Sequence, residues 1–455
     1  MKNKTVIKIL LFSFLIFLAQ NQNSFSQNQT SNRNSLFVLG DSFFSQTIAI
    51  PNSTMDSINI IFCYSFVFDG LVFQKNNENE YFATPILEAS FRDNGGIIRR
   101  RLLTNDTVVT NNFSETISRQ TSFSNVSIFT LPLSNYSVSV RLTNGKSSRN
   151  PTLETRIQGF DSLTKSETIL RPFFMNPTER CNVVFQPFLS NNFIPFSAKN
   201  FTVFVPVSIS KNSDNISYSY KIERKETSGR NISWGDFYSV SGDFELRKNS
   251  VFTAKKLNNE IQISNLQEKY FDENFDFAVL KIDVSMAQFS PANYSINIKN
   301  NQTHQERNFD FEVRWNDIPL SLSDPEIAAE NMHLILTDSE FRQLRRGNRT
   351  EIFNNILTFW RQKDPTPGTE YNEAMSEYFR RVDFATVNFE TVTQRDGAKS
   401  DRGKVHILNG FPDRIENIMH ERRSREIWFY EQLQKKYIFD LVSVGVFRLV
   451  AIEEL

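Results

Sequence analysis

The sequence predicts a multidomain fold in which two all-β sandwiches precede an α+β domain of about three helices and a small antiparallel sheet. The length of 455 residues exceeds that of one ordinary domain, which has roughly 100–200 residues. Strand and turn patterns fill the chain from about residue 35 to Trp315, and helical periodicity begins only after that point. The predicted divisions are 35–149 and 150–316 for the sandwiches, 317–326 for a linker and 327–455 for the α+β domain.

The first residues have the pattern of a cleavable signal peptide at 1–26. Three lysines, Lys2, Lys4 and Lys8, precede an apolar run from Ile9 to Leu18, which only one serine interrupts. That run is shorter than the ~20 residues that span a bilayer, so cleavage before Gln27 is favoured over an uncleaved anchor. Residues 27–34 are predicted to be disordered. No later segment is apolar enough to cross a membrane, so the mature chain is expected in the periplasm, at the outer membrane or outside the cell.

Charge and composition exclude several classes of partner and cofactor. Lys and Arg together number 51, and Asp and Glu together also number 51, so the formal net charge is zero. A nucleic-acid binder needs a basic excess to neutralise phosphates. Cys63 and Cys181 can either pair in an oxidising compartment or remain as small buried hydrophobic side chains. The four histidines lack the spacing of a zinc pair, and no phosphate-binding glycine loop is present. The sequence therefore predicts no metal and no cofactor, and leaves the oligomeric state open.

Strands in the β-rich region are indicated by runs of β-branched and aromatic residues that end in Gly, Asn or Asp. Ile58–Phe68 and Tyr81–Phe91 have this composition. Two later segments, Leu131–Val140 and Phe289–Ile298, resemble each other, with a turn, a tyrosine and then alternating apolar and polar residues. Such alternation is typical of a closing strand in an immunoglobulin-like sandwich, so the pair predicts two sandwiches of that kind.

Three helices are predicted after the linker. Thr337 and Glu340 form a capping box for the first helix, which ends before Gly347. The second spans about 350–362, and the third spans about 371–392 because its apolar residues recur at three- and four-residue spacing.

Four strands are predicted beyond the third helix. They are Lys404–Leu408, Glu426–Tyr430, Tyr437–Phe439 and a last one near 444–451. His406 is interpreted as a residue on one face of the first of these strands.

Several blocks in the last third of the chain resemble the GWxTD domain family. They are Phe359–Thr369, Asn372–Glu373, Tyr378–Val382, Asp401–Val405, Gly410–Asp413 and Ile427–Tyr430. The resemblance covers roughly 327–451. The five residues that give the family its name read Gly397-Ala398-Lys399-Ser400-Asp401 here, so Ala and Ser replace the family Trp and Thr. The resemblance implies an exported bacterial protein, as in Bacteroidetes and their relatives, often with a β-rich N-terminal region, and it implies no established activity.

The candidate site consists of eight polar side chains in these blocks: Asp364, Asn372, Glu373, Arg380, Arg381, Asp401, Arg402 and Asp413. In the favoured interpretation they are a buried ion-pair network that holds the helices on the sheet. The chain is then a non-enzymatic interaction or scaffold protein whose partner is a protein or another envelope component.

The alternative interpretation of the same residues is a polar ligand site. Arg380 and Arg381 offer planar groups for a carboxylate, phosphate or sugar. Two carboxyls among Glu373, Asp401 and Asp413 would act as acid and base in a hydrolase of envelope glycan or peptide.

Overall fold

The computed structural model describes residues 43–52, 56–78, 80–118, 121–143, 152–160, 168–178, 183–190, 193–209, 216–225, 237, 239–248, 250–258, 260–267, 277–316, 318–391, 394–420 and 423–455. Across these residues the protein is mostly β, with several sheets, and its C-terminal part has helices and a small antiparallel sheet. The predicted multidomain class is confirmed at this level. The signal peptide, residues 27–34 and Cys181 lie outside the described residues.

The N-terminal sheets are built from ten strands and one short helix. Their bounds are β1 Phe43–Pro51, β2 Ser57–Val67, β3 Gln74–Lys75, β4 Tyr81–Ala83, β5 Ile86–Asp93, β6 Ile98–Asn105, β7 Val108–Thr110, α1 Phe113–Thr116, β8 Ser122–Pro132, β9 Tyr136–Thr143 and β10 Thr152–Ile157. They form antiparallel sheets in the orders β1-β2-β8, β10-β9-β5-β6 and β3-β4-β7. β10 starts after residue 150 and pairs with β9, so this sheet continues beyond the predicted division.

Two predicted strands of this region have different outcomes. β2 confirms the strand predicted at Ile58–Phe68. The strand predicted at Tyr81–Phe91 is instead two strands, β4 and β5, which belong to different sheets. Pro85 lies between them, and proline interrupts a ladder because it has no backbone N–H to donate.

The second β-rich region contains thirteen described strands. Their bounds are β11 Thr168–Ile169, β12 Phe173–Pro177, β13 Val184–Pro187, β14 Phe193–Pro195, β15 Asn200–Ser208, β16 Tyr218–Arg224, β17 Val240–Asp243, β18 Glu245–Lys248, β19 Ser250–Leu257, β20 Glu260–Gln267, β21 Phe277–Ser285, β22 Ala292–Asn300 and β23 Glu306–Arg314. One sheet has the order β18-β21-β15-β12-β13-β20-β19, with β11 paired to β15, and the other has the order β14-β23-β22-β16-β17. β14 and β23 are parallel.

The two segments that resemble each other in sequence each contain the same kind of tyrosine hydrogen bond. The hydroxyl of Tyr136, at the start of β9, donates to the carbonyl oxygen of Pro132 at 2.8 Å. The hydroxyl of Tyr294, near the start of β22, donates to the carbonyl oxygen of Ser290 at 2.9 Å. Each tyrosine thus fixes the turn four residues before it, and each is buried.

Apolar clusters join neighbouring regions of the chain. Cys63, which is free and buried, packs with Ile48 of β1 and with Phe204 of the second β-rich region. The largest cluster includes residues from strands of the second region together with residues from the C-terminal helices. Within it the rings of Phe196 and Trp315 contact that of Tyr371, with centroid separations of 5.4 Å and 5.9 Å respectively.

Five described helices and four strands form the C-terminal part. Their bounds are α2 Pro325–Asn331, α3 Asp338–Leu344, α4 Arg349–Arg361, α5 Glu373–Asn388, α6 Asp401–Asn409, β24 Arg414–His420, β25 Arg423–Tyr430, β26 Lys435–Ser443 and β27 Val446–Glu454. The strands form one antiparallel sheet in chain order. Trp428, Tyr430 and Phe439 are buried in a cluster with Val405 of α6. No helix within the described ranges is long and apolar enough to span a bilayer.

The predicted helices are confirmed in part. α3 has the capping box of Thr337 and Glu340, and α4 buries the apolar residues on its inner face. α5 is shorter than the predicted 371–392, and Val392 lies outside the described residues. The strand predicted at Lys404–Leu408 is wrong, because these residues belong to α6. The C-terminal part therefore has five described helices, not about three, and α2 had no predicted counterpart.

The described part of the predicted linker 317–326, residues 318–326, packs on the helices. Residues Leu320–Ser323 form a 3-10 turn. The backbone N–H groups of Leu320 and Ser321 donate to the Asp383 carboxylate of α5, at 2.5 Å and 2.8 Å. The α2 helix then begins at Pro325, with Asp324 as its N-cap.

Candidate functional site

The turn between α4 and α5, residues 361–373, is called the Asn372 corner here. The Asn372 side chain is buried and connects both helices. Its Nδ2 donates to the carbonyl oxygen of Trp360 at 2.7 Å, and its Oδ1 accepts from the backbone N–H of Met375 at 2.8 Å. One amide thus contacts the end of α4 and caps the start of α5. Thr369, three residues earlier, does not cap this helix: its hydroxyl donates to the carbonyl oxygen of Tyr371 at 3.2 Å.

Two further predicted site residues lie in the same corner. The Asp364 carboxylate accepts from the backbone N–H of Thr366 at 2.8 Å, which closes a turn before the prolines. The Glu373 carboxylate accepts a short hydrogen bond from the Thr366 hydroxyl. Both carboxylates therefore order the corner itself.

The tandem arginines of α5 have separate partners. Arg381 Nε donates to the Glu377 carboxylate at 2.7 Å, one turn earlier on the same helix. Arg380 donates to the Tyr371 hydroxyl at 3.3 Å. Their distinct contacts do not form a common fork for one anion.

The segment from Asn388 to Gly403, called the Gly397 corner here, contains the five name-giving residues. Gly397–Lys399 form a 3-10 turn, and Ser400 is the N-cap of α6. The Ser400 hydroxyl accepts from the Gly403 N–H at 3.0 Å and donates to the Gly397 carbonyl oxygen at 2.7 Å. A threonine has the same hydroxyl, so the replacement of the family Thr retains this cap.

Two glycines allow close backbone packing in the Gly397 corner, one against α5 and one within the corner itself. A Cβ on Gly397 would overlap the carbonyl oxygen of Ala385 and would lie 2.6 Å from the nitrogen of Glu390. A Cβ on Gly403 would overlap the carbonyl oxygen of Gly397. The neighbouring Ala398, at the position of the family Trp, is 2% exposed and belongs to the main apolar cluster.

Asp401 connects α6 to the last strand of the sheet. Its Oδ2 accepts from the backbone N–H of Leu449 in β27 at 3.0 Å. Lys404, one turn later, has its Nζ 4.0 Å from the other carboxylate oxygen. The family Asp thus satisfies a strand N–H and stands at the N-terminal end of a helix, where negative charge is stabilised.

Arg402 and Glu426 form an ion pair between α6 and the sheet. Their nearest N and O atoms are 3.3 Å apart, and the side chains are 17% and 12% exposed. The Arg402 guanidinium also lies over the ring of Phe447, 4.2 Å from its centroid. Burial lowers the pKa of Arg402, and the Glu426 charge opposes that shift. The second Glu426 oxygen accepts from the Trp428 indole N–H, so the carboxylate is held on both sides.

Asp413, the third candidate carboxylate, lies in the loop before β24. Its Oδ2 accepts from the backbone N–H of Glu431 at 2.7 Å. The predicted set therefore falls into the Asn372 corner, the exposed Arg381 pair and the contacts of α6 and its following loop with the sheet. Arg402 makes a buried ion pair of the kind expected at a helix–sheet boundary, and its partner Glu426 was not predicted.

Glu373 and Asp401 are too far apart for a shared reaction. Glu373 begins α5, whereas Gly397 and the α6 N-terminus pack near Ala385 and Glu390 at the other end of that helix. At 1.5 Å per residue, Glu373 and Ala385 are separated by about 18 Å along the axis. The two carboxyls of a glycosidase lie roughly 5–10 Å apart.

His406 is a buried residue of α6, which corrects its assignment to a strand face. It is 1% exposed and lies against the rings of Phe384 and Phe411, both at centroid separations of 4.7 Å. The pKa of His406 is lowered to about 4, mainly by burial and also by the charge of Arg381, while a hydrogen bond to the Gly410 backbone opposes the shift. No signal in a short apolar run distinguishes such a helix from a strand.

An open cleft of about 560 Å³ was not predicted from the sequence. It is lined by Glu390, Thr391, Arg395, Val444 and Gly445, between the end of α5 and the β26–β27 turn. Its acid, base and hydroxyl can bind a small polar group, and these five described lining residues include no histidine, no cysteine and no second acid. Across the described ranges, no three His, Cys, Asp or Glu side chains are grouped to hold a metal ion.

A comparison with known protein families identifies the C-terminal domain. Residues 293–444 match the family model described as GWxTD domain. The C-terminal third of the chain is therefore a GWxTD domain, which confirms the resemblance. The match begins in β22, so it includes the last two strands of the second β-rich region as well as the helices. No curated protein matches the chain.

Proposed function

We propose that this chain is an exported, non-enzymatic protein of the cell envelope, in which the GWxTD domain is a scaffold or interaction module. The observation that carries the proposal is the bonding of the three candidate carboxylates. Asp401 accepts the backbone N–H of Leu449 in β27, Asp413 accepts that of Glu431 in the turn after β25, and Glu373 accepts the hydroxyl hydrogen of Thr366. Each carboxylate thus contributes to the local structure, as expected of a structural residue.

The β-rich regions support a role as spacers. We propose that both are immunoglobulin-like sandwiches, because the Tyr136 and Tyr294 hydroxyls make the same backward hydrogen bond that marks a corner in such folds. Sandwiches in series present a terminal domain at a distance from an attachment point. A fold alone does not specify a function, so binding must be tested directly.

Export is tested by the N-terminus of the protein recovered from a Gram-negative host. We expect the periplasmic or outer-membrane fraction to contain a chain that starts at Gln27, because three lysines and a short apolar run precede that point. Leu11→Arg with Leu15→Arg should leave the unprocessed chain in the cytoplasm, whereas Leu11→Ile should be processed normally. An unprocessed wild-type chain in the cytoplasm would contradict the export proposal.

The role itself is tested by adding labelled mature chain to sedimented envelope fractions. Saturable binding that competes with unlabelled chain supports the interaction role, and binding that stays linear with concentration contradicts it. Prior protease treatment of the envelope distinguishes a protein partner from a glycan.

The hydrolase alternative is tested by mass spectrometry of peptidoglycan and peptide digests incubated with the same preparation. A product that wild type forms and Asp401→Asn or Glu373→Gln does not form, at unchanged thermal stability, would overturn the non-enzymatic proposal.

A further inference from the structure

The aromatic enclosure of His406 leaves the Gly410 backbone as the polar group nearest its imidazole among the described contacts. The ring lies among Phe384, Phe389 and Phe411, with centroid separations of 4.7, 5.7 and 4.7 Å. Neither ring nitrogen makes a hydrogen bond of normal geometry to any residue within the described ranges. A neutral imidazole tolerates such a site far better than an imidazolium, whose charge would face apolar rings and the Arg381 guanidinium, with only the Gly410 backbone opposing them.

One wall of this enclosure is a side chain at the surface. Phe411 is 63% exposed and follows Gly410, whose φ of 79° ends α6 in a conformation that favours glycine. The loop is held by the Tyr430 hydroxyl, which donates to the Gly410 carbonyl oxygen at 2.9 Å. The enclosure can therefore open by movement of one short loop, without unfolding of α5 or the sheet.

The charges around the enclosure do not stabilise a protonated His406. Arg381 faces it from α5 and repels an imidazolium, and its own partner is Glu377. From the loop, Asp413 is bonded to the Glu431 N–H. From the sheet, Tyr430 is neutral because burial raises its pKa. At the other end of α6, the Glu426 carboxylate is paired with Arg402.

We propose that His406 makes the connection between α6 and β24 acid-sensitive. Protonation drives the imidazolium out of the aromatic enclosure, displaces Phe411 and opens residues 406–413, while the β-rich regions remain folded. The proton binds more tightly in the open state, since its imidazole has the ordinary pKa near 6.5 and the closed state has the lowered pKa. The stability of the closed state relative to the open state is therefore greatest above about pH 6.5, and it decreases as the pH falls from there toward 4.

Hydrogen exchange of the full chain tests this. For a peptide covering α6 and the following loop, exchange rates are compared between wild type and His406→Met at each pH, which cancels the intrinsic pH dependence of exchange. We expect wild type to lose protection relative to the variant by about tenfold per pH unit between pH 6.5 and 4. His333→Gln, at an exposed histidine, should behave as wild type. Parallel pH profiles of wild type and His406→Met would overturn the proposal.

Titration of the wild-type histidines by NMR tests it without a core variant, in case His406→Met does not fold. The His406 ring is identified by its contacts with three Phe rings. We expect a midpoint well below those of the exposed histidines, accompanied by loss of the Phe411 contacts. A midpoint near 6.5, or retention of the Phe411 contacts in the protonated form, would overturn the proposal.

Discussion

The two corners on either side of α5 reverse the chain by different physical means. In the Asn372 corner, one buried amide bonds the end of α4 and the start of α5. In the Gly397 corner, backbone lies against backbone because Gly397 and Gly403 have no side chain. A hydrogen-bonded corner depends on a functional group, which a related side chain can partly replace. A close-packed corner depends on the absence of a Cβ atom, so every other residue type disturbs it.

The largest effect should come from a single methyl group in the Gly397 corner. Gly397→Ala places a Cβ against the Ala385 carbonyl oxygen and the Glu390 nitrogen, which are backbone atoms and cannot rotate away. We expect a loss of about 3 kcal/mol in the opening free energy of α5 and α6, measured by native-state hydrogen exchange. A loss below about 0.5 kcal/mol would show that the corner is not close-packed.

The next effect should come from the amide of the Asn372 corner. Asn372→Ala removes the α5 cap and the bond to the Trp360 carbonyl, so we expect a loss of about 2 kcal/mol in the same measurement. Asn372→Ser retains a capping oxygen but cannot reach Trp360, and it should recover about half of that loss. Equal losses in both variants would show that the cap contributes nothing.

A smaller effect is expected at the name-giving Ser400. Ser400→Ala removes the cap of α6 and should cost about 1 kcal/mol in the opening free energy of that helix. Ser400→Thr restores the family residue with the same hydroxyl, and its opening free energy should match that of wild type. If Thr destabilises α6 as much as Ala does, the hydroxyl is not the stabilising group.

The smallest effect should come from a glycine in the Asn372 corner. A Cβ on Gly368 would meet nothing within 4 Å, so Gly368→Ala should change the opening free energy of α5 by less than about 0.5 kcal/mol. The variant is the matched control for Gly397→Ala. A loss as large as that of Gly397→Ala would mean that glycine is needed in both corners for its backbone freedom, not for space.

Local signals in the sequence predicted α3 and α4 because capping residues and apolar spacing act within one helix. The same reasoning failed at Lys404–Leu408, where Val405 and Ile407 alternate as in a strand. The helix there depends on Ser400 as N-cap, on Gly403 against Gly397 and on burial of Val405 under Trp428. The Gly403 contact depends on the backbone path of the preceding turn and the Val405 contact is tertiary, and hydrophobic periodicity reports neither.

The candidate site was predicted as a list of residues but not as an arrangement. The polar character of Asp401 and Arg402 was evident, whereas their partners Leu449 and Glu426 lie far along the chain. Register between α6 and the sheet determines those pairs, and it follows from packing of the whole domain. The family blocks located Asn372, but they did not show whether its amide caps a helix or binds a ligand.

The ring contacts of Phe196, Trp315 and Tyr371 have a mechanical consequence. A tensile force between the N-terminal sheets and the C-terminal sheet does not extend 317–326 as it would extend a flexible linker. Leu320 and Ser321 are bonded to α5, and the three rings must slide past one another before that stretch can lengthen. Force applied to the β-rich regions is therefore transmitted to the C-terminal helices through these ring contacts and hydrogen bonds.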